Sequence, residues 1–338
     1  MRRIQSRHGA LMTKYILLRL LMIPVALVTV VMLTFSYTHT VQWDYAYRYP
    51  QLYRQLKVIE QRPESLVEAA RVYLSDVAEL DFGSLRSGEP IVSVVWQALK
   101  ASLALLALAL AISVPFGILI GVVASRWQQA RPARWLTIFS TAGLAMPSFY
   151  VGSLLILASV SYALASGNGR GLPFPLAGFG WDLHLVFPTI ALMVRPMVNI
   201  ARVTANLLTA ELPKQYVVAA RSFGHSWGVV KRRLAFANVV APIVLTIAGS
   251  LRGLVTDLIL VEWLFYWPGI GRFLALALIP SRRTNMATSP YLLEPPFVAA
   301  LMGVVTLIFL VADFLASVAV RVADPRLRVP AAEEAGSV

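Results

Sequence analysis

Long apolar runs dominate the chain, separated by short polar and basic connections. Roughly 20 apolar residues carry a helix across the hydrocarbon core of a bilayer. Six stretches meet that length: residues 15–37, 94–123, 135–164, 184–208, 242–264 and 297–320. Backbone groups in lipid must be satisfied within their own segment, so each stretch is expected to be a helix. Pro24, Pro115, Pro147 and Pro196 fall inside these spans and predict kinks, tolerated where neighbouring helices re-satisfy the backbone. The expected fold class is an all-α integral membrane protein with six transmembrane helices.

The connections predict orientation, because Lys and Arg accumulate on the cytoplasmic side. Arg2, Arg3, Arg7 and Lys14 precede the first span, and Arg126, Arg131 and Arg134 follow the second. Lys214, Arg221, Lys231, Arg232 and Arg233 follow the fourth, and Arg321, Arg326 and Arg328 close the sixth. These groups alternate correctly to share one side, which puts both termini in the cytoplasm. A signal peptide is the competing reading of the first span. Its apolar core is too long for one, and no clear small-residue cleavage site follows. The external connection 38–93 is net acidic, and Leu66, Ala69, Ala70, Tyr73, Leu74 and Val77 within 63–80 predict an external amphipathic helix. The expected organisation is therefore a tail, first span and external region over 1–93 and a five-helix core over 94–323. That core includes a cytoplasmic loop, 209–241, and a cytoplasmic tail follows at 324–338. No internal repeat is evident, and the Ala- and Glu-rich end after Pro330 reads as disordered.

Composition narrows the function classes. Of 338 residues, 58% are hydrophobic and 14% charged, against about 25% charged in a typical soluble domain. The net charge of +13 is scattered between apolar runs rather than gathered in a patch, which argues against nucleic acid as a partner. There is no cysteine, hence no thiolate metal site or cysteine nucleophile. His8, His39, His184 and His225 lie far apart, so no metal site and no catalytic residue is expected.

The connection after the fourth span is more organised than a linker requires. It reads Glu211-Leu-Pro-Lys-Gln-Tyr-Val-Val-Ala-Ala-Arg-Ser-Phe-Gly224, then a basic stretch through Lys231, Arg232 and Arg233 to Asn238 and Pro242. Paired alanines followed four positions on by glycine let another protein surface approach a short helix closely. Gly224 suits a helix C-terminal stop, and Ser226 can cap the next helix. Glu68-Ala69-Ala70 imitates part of this pattern but has Leu74 where the glycine belongs, and topology places it outside.

This segment resembles the cytoplasmic coupling loop of binding-protein-dependent ABC importer permeases, in the dipeptide/oligopeptide/nickel branch. The match rests on Tyr216, Val217, Ala220, Arg221, Gly224, Asn238 and Pro242, with Val218 in place of the signature glutamate. Arg202 stands in a similar Ala-Arg-x-x-Arg stretch whose second arginine is Ala205 here. Asp81-Phe-Gly-Ser84, Gly88-Glu-Pro90, Pro115-Phe-Gly117, Met146-Pro-Ser-Phe149, Glu262 with Phe265, Trp267-Pro-Gly-Ile-Gly271 and Asp324-Pro-Arg326 recur in the branch's order. Two departures stand out: the aromatic-rich Trp43 to Tyr49 replaces a Pro-Gly-Asp-Pro, and the connection 281–296 is longer than usual.

The resemblance implies a type I ABC importer permease, the pore-forming subunit that translocates peptides or similar small solutes. It implies ATPase coupling through Tyr216, Val217, Val218, Ala219, Ala220, Arg221 and Gly224. It further implies a second homologous permease subunit, cytoplasmic ABC ATPase subunits and an external solute-binding protein, in a bacterial or archaeal cytoplasmic membrane. No phosphate-cradling loop occurs in the chain. No cofactor is therefore expected on it, and ATP and Mg belong to the partner ATPase subunits. Lys231, Arg232 and Arg233 fit either membrane lipid headgroups or docking. Arg195, Arg202, Arg252, Asp257 and Glu262 lie in or near spans, where charges face protein or water; they line the translocation path or form inter-helix ion pairs. Arg252 and Asp257 are five apart, so each is expected to meet a partner elsewhere. An ion-coupled carrier would need inverted repeats and would leave the coupling loop unexplained, whereas a membrane scaffold without transport predicts no ATPase partner and tolerates charge-neutral changes at Arg252 and Asp257.

Overall fold

A computed structural model describes residues 2–48, 50, 65–127, 131–165, 174–279 and 291–323. The described residues are helical apart from turns and one isolated bridge, Ser84 to Pro90. We number the helices α1 (Arg2–Arg48), α2 (Leu66–Ala78), α3 (Ile91–Ala124), α4 (Arg134–Ala145), α5 (Ser148–Ala165), α6 (Val186–Glu211), α7 (Gln215–Ser222), α8 (Trp227–Leu264), α9 (Ile270–Leu278) and α10 (Pro295–Ala323). Among the described residues, six helical segments are long and apolar enough to cross a membrane, in the order the hydropathy predicted. Asp324, Arg326 and the tail 324–338 lie outside the described residues, as do 280–290, Tyr49 and Pro63.

Three boundaries differ from expectation. The third span is two helices: α4 stops at Ala145, Met146 is extended, and α5 restarts after Pro147. Proline lacks an amide hydrogen and disfavours helical geometry in the residue before it, which explains why a predicted kink became a break. The first helix runs on through Trp43 to Arg48, past the predicted end of its span. The fifth span begins well before Pro242, its predicted start, because helix α8 starts at Trp227 with a π-helical turn over Val230–Ala235.

The core forms where α3 and α6 run side by side in the same direction. A Cβ on Gly117 would lie 2.8 Å from the Met197 carbonyl oxygen, and one on Gly121 would lie 2.5 Å from Thr204 Cβ. Glycine four residues apart thus brings two helix backbones together, the small-x-x-x-small packing common in membranes. At the end of the bundle opposite α7, the amphipathic α2 buries Ala69 and Tyr73, and the Tyr73 ring stacks on Phe35 of α1 at 4.4 Å. Burial pushes the Tyr73 hydroxyl up to about 12. Ser65 caps α2 by accepting from the Glu68 amide, so the Glu68-Ala69-Ala70 imitation serves that surface helix.

Candidate functional site: the helix between the fourth and fifth spans

Helix α7 lies outside the apolar windows and is held from both sides. Its carboxyl end is a Schellman stop: the Gly224 amide donates to the Arg221 carbonyl, the His225 amide to the Ala220 carbonyl, and Gly224 takes φ +86°. That φ is why glycine stands there. Ser226 occupies the N-cap position of α8, but its side chain makes no capping bond; its carbonyl accepts from the Val229 and Val230 amides instead.

A polar cluster ties α7 to both neighbouring spans. Tyr216 donates its hydroxyl hydrogen to Glu211 Oε1 at 2.8 Å, and the Asn238 amide donates to the Tyr216 oxygen at 3.0 Å. Lys214 Nζ sits 2.6 Å from Glu211 Oε2. Glu211 ends α6, Tyr216 is in α7 and Asn238 is in α8, so one carboxylate joins three helices. Partial burial, aided by that carboxylate, raises the Tyr216 pKa and keeps the hydroxyl a donor. Below the cluster, Val217 is fully buried with Leu208, Leu212, Val230 and Val239. Arg221 donates to the His225 carbonyl at 2.7 Å and lies over the Trp227 ring, which packs against Trp127 at 4.3 Å.

The expected coupling residues therefore divide by face. Tyr216, Val217 and Ala220 turn toward the bundle, Arg221 braces the turn, and Gly224 sets it. Val218 and Ala219 turn outward, together with Ser222 and Phe223. Phe223 is 84% exposed. The sequence reading missed it because no motif position marks it; three-four spacing from Ala219 would have placed it on the outer face. Lys231 does not project outward either: its Nζ donates to the Ser125 carbonyl at 2.9 Å, at the end of α3. Arg232 folds back onto the Gly228 carbonyl of its own helix, and Arg233 remains exposed.

The charges within the spans separate into three arrangements. Glu262 is fully buried. Its carboxylate accepts from Ser102 at 2.5 Å and from the Gly271 amide at 2.7 Å, while Ser102 accepts from the Ile270 amide. It holds α3, α8 and α9 together. Arg252 Nε lies 3.0 Å from Asp313 Oδ1, an ion pair between α8 and α10. Asp257 accepts from Ser148 at 2.6 Å and faces Arg195 at 3.6 Å, joining α5, α6 and α8. Arg252 and Asp257 thus meet partners elsewhere, as their spacing required.

Arg195 is half-exposed, and the face it stands on continues as Asn199, exposed Arg202 and exposed Asn206. Steps of four, three and four residues keep all four within a narrow arc of α6. Toward the amino end of α6 the same face is covered at Pro188, Ala191 and Leu192. Beside it, Arg195, Asn199, Gly249, Ser250, Gly253 and Asp257 line a cavity of about 290 Å³, and Asn199 donates to Ser250 at 3.3 Å. A charged side chain facing lipid at mid-span costs about 2.5–3.5 kcal/mol on insertion scales, so this face is built to meet water or protein. The sequence reading named both arginines but missed Asn199 and Asn206, which the same spacing reveals.

At the opposite end, Glu89, Gln97, Lys100, Trp181, Phe273 and Tyr291 line a second cavity, of about 650 Å³. Arg86 Nε pairs with Glu294 Oε2 at 2.8 Å beside it, and burial raises the Glu294 pKa against the pull of that arginine.

Comparison with known proteins bears on this arrangement. Residues 97–329 match the family described as the binding-protein-dependent transport system inner membrane component. A dipeptide transport system permease of Lactococcus lactis is 26% identical over 94% of this chain and 100% of its own length. A dipeptide transport system permease of Alkalihalophilus pseudofirmus is 29% identical over 78% of this chain and 87% of its own. An oligopeptide transport system permease of Bacillus subtilis is 24% identical over 75% and 78%.

Proposed function

The chain belongs to the family of binding-protein-dependent transport system inner membrane components, and we propose that it forms one half of the pore of an ATP-driven importer of peptides or similar small solutes. The observation that carries this reading is α7. It is a short helix outside the spans, clamped to α6 and α8 through Glu211, Tyr216 and Asn238, with Val218, Ala219 and Phe223 turned outward. A helix so mounted transmits a push on its outer face to two spans at once.

In this reading the α7 end faces the cytoplasm and both termini lie there, in the cytoplasmic membrane of a bacterium or archaeon. The outer face of α7 docks on a cytoplasmic ATPase subunit, which binds ATP and Mg. A second, homologous permease subunit completes the pore, and membrane lipid surrounds the pair. A solute-binding protein delivers cargo to the opposite end, where the aromatic-lined cavity opens. The chain contributes no hydrolysis of its own; nucleotide-dependent contacts on α7 shift the population between pore states.

Replacing Phe223 with Asp tests the docking. An aromatic anchor at the centre of an interface costs about 2 kcal/mol or more when lost, roughly thirtyfold in affinity. Purified F223D transporter is expected to insert normally but to retain much less ATPase subunit and to lose uptake in proportion. Undiminished retention with normal uptake would place the docking surface elsewhere.

A further inference from the structure

Resting on the reading of the chain as a pore half, we propose that the polar face of α6 and α8 is the cargo lane, and that its guanidinium groups select solutes bearing a free carboxylate. The face carries Arg195, Asn199, Arg202 and Asn206 along α6, beside Ser250 and Asp257 on α8. Its charges do not cancel. Asp257 is held by Ser148 at 2.6 Å and by Arg195 at 3.6 Å, which leaves Arg202 exposed and without an ion pair among the described residues. The lane thus has one guanidinium charge in surplus.

The space is there as well. A Cβ placed on Gly249 or Gly253 would meet nothing within 4 Å, so the α8 wall is open backbone at these two positions. The lane is covered beyond Arg195 at Pro188, Ala191 and Leu192, and continues exposed toward α7 through Arg202, Asn206 and Ala210. A guanidinium fork matches a carboxylate with two parallel hydrogen bonds. Asn199 and Ser250 supply neutral amide and hydroxyl partners for a peptide backbone. Cargo with a free carboxyl terminus would meet Arg195 and Arg202 one after the other, two turns apart on one helix face.

The test uses the complete transporter in proteoliposomes, with its ATPases, second permease and binding protein, and compares uptake of trialanine with that of trialanine amide. The binding protein is the same in every arm, so its own preference cancels when wild type and variant ratios are compared. Arg202→Gln is expected to lower the acid-to-amide ratio about tenfold, the scale of a lost charge-assisted hydrogen bond, while amide uptake stays within roughly twofold. Arg202→Lys, which keeps the charge but not the fork, restores part of the ratio. Equal loss of both cargoes would assign Arg202 to the interface with the second permease and overturn the proposal, as would an unchanged ratio. Should Arg202→Gln not assemble, Arg195→Gln removes the other guanidinium and leaves the Asp257 carboxylate, still held by Ser148, to offset the Arg202 charge. The same fall in ratio is then expected, and its absence overturns the proposal. Failure of the wild type to take up either peptide with ATP would instead sink the pore reading itself.

Discussion

At the scale of single residues, Glu262 shows how a charge in a span can belong to the fold. Its two oxygens accept from Ser102 and the Gly271 amide. A Cβ on Gly269 would collide with the same carboxylate, and one on Gly271 with the Ile259 backbone. The glycines of Trp267-Pro-Gly-Ile-Gly271 are therefore shaped around Glu262, and Trp267 closes the knot by donating to the Ala101 carbonyl at 3.1 Å. Each buried donor left without its acceptor costs about 1–3 kcal/mol. Glu262→Ala is expected to lower the thermal unfolding temperature in detergent by several degrees; Glu262→Gln, which keeps an acceptor for Ser102, should lower it less. An unchanged melt for Glu262→Ala would show that the carboxylate holds nothing. From sequence, Glu262 stood beside Arg195 and Asp257 as one more span charge. Burial and hydrogen-bond direction distinguish them, and neither is written in a hydropathy pattern.

At the scale of elements, the spans were legible because the bilayer imposes a length and an apolar composition that few other constraints override. Internal breaks were less so. Pro147 splits its span, whereas Pro24, Pro115, Pro196 and Pro242 sit inside continuous helices. The difference at Pro147 is its setting: Ser148 starts α5 and donates its hydroxyl hydrogen to Asp257, a contact that sequence distance conceals. Close helix approach was half-legible, since Gly117 was noted in a motif while its partner Gly121 was not. Gly121→Val is expected to push α3 from α6 and to abolish a monodisperse peak in size-exclusion chromatography. Gly249→Ala, whose new methyl meets open space, should accumulate as wild type does. Equal behaviour of the two would contradict the packing described.

For the whole molecule, the arrangement is a lever joined to a wall. Tyr216, Glu211 and Asn238 fix α7 to α6 and α8, and these same two helices carry the polar face with Arg195, Arg202 and Asp257. In the proposed importer, motion of α7 would therefore reach the polar face of α6 and α8 without a long relay. The spans and the short helix between the fourth and fifth were readable from the residues because each has a local signal. Which side of α7 stays exposed was not, because that depends on what Val217 packs against over 20 residues away at Val239.

The proposed docking of the outer face of α7 on an ATPase at the cytoplasmic side is directly measurable, because the chain lacks cysteine. Ser222→Cys places a single thiol on the exposed face of α7, and Ser87→Cys places one in an exposed turn at the opposite end. A maleimide that cannot cross the bilayer is expected to label S87C in intact cells and S222C only in inside-out vesicles, where bound ATPase subunits protect it. Labelling of S222C in intact cells, or no protection by the ATPase, would contradict the account.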